Sequence, residues 1–350
     1  MRKTDVLLLV LLLMLGVGNA SAGQKKFAVY GVGFYNLENL FDTCHDNGKN
    51  DYEFLPDGTY KWTSEKYTHK LANMARVLSE MGTDKLPKVG CAVIGVAEVE
   101  NAKCLDDLCS QEPLKVRGFQ YVHEEGADQR GIDCALLYNP ALFTVRDTRL
   151  IPYVYKQPQD SLRATRGFFV VSGTMADEHV TIIVNHLPSR ASASYYREEG
   201  GVQLRAVRDS LIAADPAVKL LIMGDMNDDP QDKSMAQSLG AKRTIGEVGD
   251  GDMYNPWWDV LASGTGTLMY KGAWNLFDQI ILSPSLLDRG GKKDYSTLKL
   301  FSHQIFRRDY LIQKEGPYKG SPLRTHGGGN WLNGYSDHLP TVVYLIKARK

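Results

Sequence analysis

Two β-sheets packed face to face, with helices on their outer sides, are predicted for this chain by three observations. Short apolar runs that end abruptly in polar residues recur from one end to the other, and runs of that length read as strands. Two longer segments instead carry apolar residues at helical spacing. No stretch rich in Pro, Gly or Ser divides the 350 residues, so strands and helices belong to a single domain, 23–350, in which they form an α/β packing of two sheets.

Ahead of that domain, residues 1–22 combine Arg2 and Lys3, an apolar run over 6–15 and the small residues Ala20, Ser21 and Ala22. This is the pattern of a secretory signal peptide cleaved near Ala22, and the run is much shorter than the about 20 residues of a spanning helix. An exported protein, periplasmic or secreted, with no integral membrane contact in its mature form, is expected. The first cysteine is Cys44, too far along for a lipid anchor. Strands are then read at 27–34, 91–97, 134–138, 168–172, 180–184, 220–223, 277–282 and 341–346. A helix at 64–81 places Tyr67, Leu71, Met74, Ala75 and Leu78 on one stripe, with Ser64 as N-cap and Gly82 as its stop. A second helix at 195–214 carries Leu204, Val207 and Leu211 and stops before Pro216. Gly327-Gly328-Gly329 reads as a turn, because no Lys-Ser or Lys-Thr follows it as a phosphate-cradling loop requires. Trp257, Trp258 and Trp274 read as core or loop anchors ahead of a stacking platform for bases.

The composition, 43% hydrophobic and 23% charged, is that of a folded soluble domain. Lys and Arg number 41, as do Asp and Glu, which excludes the global basic field that drives non-specific binding to polyanions. Five cysteines leave at least one thiol unpaired. Cys91 and Cys134 lie in strand-like runs as small buried hydrophobes, and Cys104 with Cys109 is the pair that an oxidising compartment could join. No protein partner is indicated.

Polar residues gather where the strands end: Asn36 and Glu38, Glu98 and Glu100, Asn185 and His186, Asp225 and Asn227, Asp337 and His338. One carboxylate at a strand end is ordinarily a solvated turn residue; five such sites, two with histidine, point to a metal centre. Carboxylate and carboxamide oxygens, without Cys-x-x-Cys or His-x-x-x-His, favour a hard cation over zinc: Mg²⁺ first, with Mn²⁺ or Ca²⁺ as alternatives. Residues 225–230 are not an EF-hand loop, for they lack its central Gly and distant Glu. Hard cations partner phosphate oxygens. Phosphodiester hydrolysis needs a deprotonated water, relief of charge on the phosphoryl oxygens, and a proton or cation for the leaving oxygen.

Six segments stand in order along the chain: Tyr35-Asn36-Leu37-Glu38-Asn39, Ala97-Glu98-Val99-Glu100-Asn101, Asn185-His186-Leu187-Pro188-Ser189-Arg190, Gly224-Asp225-Met226-Asn227, Phe277-Asp278-Gln279-Ile280 and Ser336-Asp337-His338-Leu339-Pro340. Together they resemble the endonuclease/exonuclease/phosphatase superfamily. His186 makes the two-histidine branch, which includes pancreatic-type deoxyribonucleases and bacterial sphingomyelinases, the best match. The resemblance implies a four-layer α/β sandwich, two mixed sheets between helices, with the site at one rim. It implies metal ligation by Asn36 and Glu98, with Asp337 sharing the ion, and orientation of the attacking water and a phosphate oxygen by Asp225 and Asn227. His338, backed by Asp278, would act on the phosphoryl group. In that branch a second acid partners the other histidine, and motif order makes Asp133 the candidate behind His186. Arg130 and Arg190 are candidates for holding the substrate phosphate.

The expected function is therefore that of a metal-dependent phosphodiesterase, an endonuclease-like hydrolase of DNA or RNA by in-line water attack. A phosphatase or sphingomyelinase-like phosphodiesterase is the alternative within the same chemistry, and a non-catalytic binding module the alternative outside it. Trp274 stands four residues before Asp278 and Gln279 follows it, a departure from the Trp-x-Asp-Arg pattern of inositol polyphosphate 5-phosphatases.

Overall fold

A computed structural model describes residues 26–160 and 163–349; the expected signal peptide, 1–22, lies outside the described residues. In chain order the strands are β1 (Phe27–Leu40), β2 (Cys91–Val99), β3 (Gln120–His123), β4 (Asp133–Tyr138), β5 (Thr144–Ile151), β6 (Phe168–Met175), β7 (Glu178–His186), β8 (Lys219–Asp225), β9 (Ala241–Lys242), β10 (Met253–Tyr254), β11 (Leu268–Tyr270), β12 (Ala273–Asn275), β13 (Asp278–Leu282), β14 (Lys299–Ile305), β15 (His326–Gly327), β16 (Asn330–Trp331) and β17 (Thr341–Ala348). The principal helices are α1 (Ser64–Glu80), α2 (Ala102–Cys109) and α3 (Ser194–Ala214). One sheet has the order β14-β17-β1-β2-β4-β3 and the other β5-β6-β7-β8-β13-β10-β9. Each is mixed: β1 and β2 are parallel, as are β7 and β8, whereas β17, β4 and β13 run antiparallel to their neighbours.

Alternation along each strand sorts its residues between two cores. Between the sheets, Val32, Phe34, Val93 and Leu136 meet Phe169, Val171, Ile182, Val184, Leu221 and Met223. On the outer face of the first sheet, Tyr35, Ile94 and Val96 pack with Leu71, Met74, Ala75 and Leu78 of α1. On the outer face of the second, Val170, Ile183, Leu220 and Ile222 pack with Leu204 of α3. Strands covered on both faces read as continuous apolar runs, and each fully buried Leu or Ile contributes about 1.5–3 kcal/mol. The result is the expected four-layer α/β sandwich.

Three strands of four or more residues escaped the sequence reading, β3, β5 and β14, and all three lie at sheet edges. β5, Thr-Val-Arg-Asp-Thr-Arg-Leu-Ile, buries none of its residues fully; edge strands carry charge because water reaches them. At α1 the N-cap is Thr63, not Ser64: the Thr63 hydroxyl accepts from the Lys66 N–H at 3.4 Å. Cys104 and Cys109 are both free thiols. Five residues along one helix, at about 1.5 Å of rise each, they stand farther apart than the about 7 Å a disulfide spans between Cα atoms. Trp257 is a core residue whose indole N–H donates to Ile280 O at 3.0 Å.

β15 and β16 are joined by Gly328 and Gly329 at φ 57° and 82°, the positive pair that a type I′ hairpin turn requires. This hairpin sets His326 against Tyr60, Trp62 and Trp331, ring centroids 4.6, 5.8 and 5.2 Å away. Burial, reinforced by Lys66, Lys70 and Arg324, pushes its imidazole down to about 4. As pH falls the unfolded chain is protonated first, so this contribution to stability is whole above about pH 6.5 and is lost towards pH 4. In thermal melts across that window, His326→Gln is expected to flatten the decline in Tm; a decline as steep as in the parent would clear His326 of the effect.

Candidate active site

The parallel pairs β1/β2 and β7/β8 end at the same rim, and β13, antiparallel to β8, begins there with Asp278 paired to Asp225. Two departures from regular strand geometry aim side chains inward. In β1 the register against β2 shifts between Asn36 and Leu40, with Glu38 and Asn39 at φ 50° and 58°. In β2 it shifts against β4 at Glu98, which has φ 63°. Left-handed backbone costs a non-glycine residue roughly 1–2 kcal/mol, and local hydrogen bonds offset it. Asn36 Oδ1 accepts from the Glu38 N–H at 2.9 Å, and Glu98 Oε2 accepts from the Asn39 N–H at 3.0 Å. Asn227, at φ 51°, donates its N–H to Asp225 Oδ1 at 2.9 Å and its side-chain amide to Leu187 O at 3.0 Å.

Asp225 is the hub. Its Oδ2 accepts from Asn36 Nδ2 at 3.0 Å and lies 3.6 Å from His186 Nε2 and 3.7 Å from His338 Nε2. Glu98 Oε1 is 3.3 Å from Asn36 Nδ2 and 3.9 Å from His186 Nε2. His338 Nδ1 is hydrogen-bonded to Asp278 Oδ2 at 2.7 Å, and its Nε2 is 3.8 Å from Asp337 Oδ1. The two imidazoles have opposite protonation. Burial alone would lower His338, but the carboxylates of Asp278 and Asp225 outweigh it and hold the group well above the ordinary histidine value. Burial, with Arg166, Arg130 and His338 adding, holds His186 well below it. At neutral pH His338 carries a proton to give and His186 is a neutral ring. Burial also lifts Asp225 to about 7, with Asp278 and Glu98 adding while His338 opposes.

Glu98, His186, Asp225, Asn227, Asp337 and His338 floor a recess of about 530 Å³ whose wall includes Asp128, Arg130, Arg163, Thr165, Arg166 and Ser189. Thus Asn36, Glu98, His186, Asp225, Asn227, Asp278, Asp337 and His338 come together, and Arg130 stands at the wall. Two expected residues are placed elsewhere. Asp133 Oδ2 is 3.1 Å from His123 Nε2 and its Oδ1 accepts from the Gly126 N–H at 3.0 Å, while the Nδ1 of His186 has no partner among the described residues. The carboxylate is taken by the histidine of the adjacent strand, so Asp133 does not back His186. The Arg190 guanidinium turns from the recess to Asp229, Asp232 and Asn275, at 3.0, 2.7 and 3.0 Å, and Nε donates to Asn227 O at 3.1 Å. It ties the Asp225 loop to β12 and has little left for a phosphate.

The sequence reading missed a second tier of charge. Arg324 donates to Glu38 Oε1 at 3.1 Å and to Asp337 Oδ2 at 2.9 Å, fixing the latter carboxylate. Glu38 Oε2 accepts from the Thr325 N–H at 2.6 Å. Lys70, fully buried, donates to Thr325 Oγ1 at 2.6 Å and to Tyr335 O. Lys70 was detectable: it sits on the apolar stripe of α1, where a charge needs partners. Arg324 gave no such signal.

The donor set fits a hard divalent cation. Among the described residues no Lys or Arg forms an ion pair with Glu98 or Asp225, and the protonated His338, 3.7 Å from Asp225 Oδ2, is the cationic neighbour the two carboxylates have. Asp225, Asp278 and His338 each offer a ligand atom within 4.8 Å of the others, but the 2.7 Å bond between His338 and Asp278 commits those two to each other. Glu98, Asp225 and Asp337, which all line the recess, are then the carboxylates that could hold the cation. Asn36 presents Nδ2 to the carboxylates while its Oδ1 accepts from Glu38, so as a ligand it would offer that same oxygen's second lone pair or turn its amide.

A family model described as the endonuclease/exonuclease/phosphatase family matches residues 31–347. No curated protein sequence matches the chain. Among solved structures, D. rerio TDP2 bound to a single-strand DNA product is 13% identical, with a TM-score of 0.52 over 91% of this chain and 99% of that one. The mannosyl-6-phosphatase of Bacteroides thetaiotaomicron is 14% identical, with a TM-score of 0.54 over 90% and 99%. ANGEL2, a 2′,3′-cyclic phosphatase, is 12% identical, with a TM-score of 0.58 over 92% and 97%. At such identities these neighbours attest the fold, whereas the family model spans nearly the whole domain: the chain belongs to the endonuclease/exonuclease/phosphatase family of metal-dependent phosphoester hydrolases.

Proposed function

We propose that this chain is an exported, Mg²⁺-dependent phosphodiesterase that cleaves nucleic-acid phosphodiesters by in-line attack of water. The observation that carries the reading is the convergence of His186 Nε2 and His338 Nε2 on Asp225 Oδ2, at 3.6 and 3.7 Å, with Glu98 Oε1 3.9 Å from His186 Nε2. A bound cation would supply neutralisation of a phosphoryl oxygen, held by Glu98, Asp225 and Asp337. Asp225 and Asn227 orient the attacking water. His338, kept protonated by Asp278, donates to the phosphoryl group, and neutral His186 is free to accept a proton. A diester needs protonation or charge relief on its leaving oxygen, and two imidazoles in opposite states provide for both proton movements. The 530 Å³ recess exceeds what one phosphate group fills and leaves room for the groups on either side of a bridging phosphate. TDP2, of like fold, is bound to a DNA product, which agrees with a nucleic-acid substrate.

The test is a panel of plasmid DNA, RNA, bis(p-nitrophenyl) phosphate, mannose 6-phosphate, inositol phosphates and sphingomyelin, with Mg²⁺ and with chelator. Cleavage of nucleic acid and the generic diester, lost with chelator, is expected; hydrolysis confined to monoesters, or indifferent to chelator, would overturn the reading. Metal binding has its own readout. Mg²⁺ at a hundredfold excess over Kd is expected to stabilise the protein by about 2.7 kcal/mol, and Glu98→Gln to abolish most of that gain in thermal melts. Export predicts a mature N-terminus at Gly23 in the periplasmic or culture fraction, where retention of Met1 would refute cleavage.

A further inference from the structure

We propose that the arginine wall of the recess is an anion subsite for a second phosphate of the substrate, beside the one that is cleaved; this rests on the phosphodiesterase reading above. Arg130, Arg163 and Arg166 line this wall, against one carboxylate, Asp128. Asp128 bonds Arg166 at 2.9 Å and stands 3.8 Å from Arg130 Nε, while Arg163 is paired at 3.1 Å with Asp160. One carboxylate cannot neutralise both of its neighbours, so positive charge is left over in a chain whose overall charge is balanced.

Arg166 gives the subsite its built character. Its side chain is 7% exposed, its Nη2 donates to Leu187 O at 3.1 Å, and its Nε has no partner among the described residues. With both terminal nitrogens bonded to the protein and Nε closed off from solvent, this guanidinium is fixed at the wall and acts on a phosphate in the recess through its charge. The hydroxyls of Thr165 and Ser189 border the same space. A substrate with a single phosphate, already matched to the cation at the Glu98 end, would leave the excess charge that Asp128 shares between Arg130 and Arg166 without an anion. The shared chemistry is a second phosphate, supplied by the next linkage of a nucleotide chain or by a phosphomonoester on a smaller diester.

The experiment compares kcat/KM for thymidine 5′-(p-nitrophenyl phosphate) with and without a 3′-phosphate, in the parent, Arg130→Ala and Arg166→Lys. About a tenfold preference for the 3′-phosphorylated diester is expected, as charge-assisted bidentate contacts give, and it should fall towards parity in both variants. Arg130 is exposed, so Arg130→Ala tests the subsite even if Arg166→Lys fails to fold. Equal kcat/KM for the two substrates in the parent, or a preference untouched by Arg130→Ala, would overturn the proposal. A trinucleotide with its second linkage as methylphosphonate, set against the all-phosphate form, tells the sources apart: discrimination there assigns a nucleotide chain, and discrimination only with the 3′-phosphate assigns a small bisphosphorylated compound. Calorimetry with thymidine 3′,5′-bisphosphate separates failure of the subsite from failure of the phosphodiesterase reading. If no diester is hydrolysed, a roughly tenfold weaker binding to Arg130→Ala still supports the subsite, and equal binding rejects it.

Discussion

Asp278→Asn is expected to lower kcat on a phosphodiester by about 10³- to 10⁴-fold with KM little changed, the size of effect seen when the carboxylate behind a catalytic imidazole is replaced by its amide. Asp278 is fully buried and its Oδ2 lies 2.7 Å from His338 Nδ1. Asn has the same shape, so the packing survives while the charge is lost. Burial already acts to lower the His338 pKa, and the carboxylates are what overcome it. Without Asp278 the imidazole moves down, the fraction protonated at neutral pH drops, and the phosphoryl group loses its donor. The activity of the variant relative to the parent should therefore rise as pH is lowered. A stopped-time assay over pH 5.5–8.5 reads both effects, and a variant within tenfold of the parent at all pH values would remove His338–Asp278 from the chemistry.

Most of the central strands were legible in the sequence because they are buried on both faces, and double burial writes itself as an unbroken apolar run. β3, β5 and β14 were not, since an edge position lets charge into the strand and erases the pattern. The residues around Asp225 were legible for a related reason: most stand where apolar runs stop, and five such stops among six motifs in order are a strong signal. What failed was pairing between segments distant in the chain. Asp133 had two histidines within its topological reach, and the one on the neighbouring strand, His123, holds it. Arg190 follows His186 in sequence by four residues, yet its side chain is drawn to acids at 229 and 232. Motif adjacency locates a Cα; where a long cationic side chain ends depends on carboxylates that no local pattern reveals.

The clearest case of such distant pairing also carries the largest stability effect. Lys70→Met is expected to destabilise the fold by about 3 kcal/mol or more, as removal of one member of a buried charged network does. Met fills similar volume, so the loss is electrostatic: Tyr335 O and Thr325 Oγ1 lose a donor, and the acids Glu38 and Asp337 are left to Arg324 alone. Burial, with Asp337 adding, already raises Glu38 to about 7, while Lys70 and Arg324 oppose it; without Lys70 it rises further. A carboxyl whose folded value is raised contributes stability in full below about pH 4.5, its value in the unfolded chain, and that contribution is lost as pH climbs through the folded value. The deficit of Lys70→Met should consequently be larger at pH 8 than at pH 5 in urea titrations. Adding Glu38→Gln should recover part of it at pH 8, because the charge that Lys70 compensated is then gone. Equal deficits at both pH values, with no recovery in the double variant, would mean that Lys70 acts by packing and hydrogen bonding alone. In that case the placement of Asp337 at the metal corner rests on Arg324 without help from the helix beneath it.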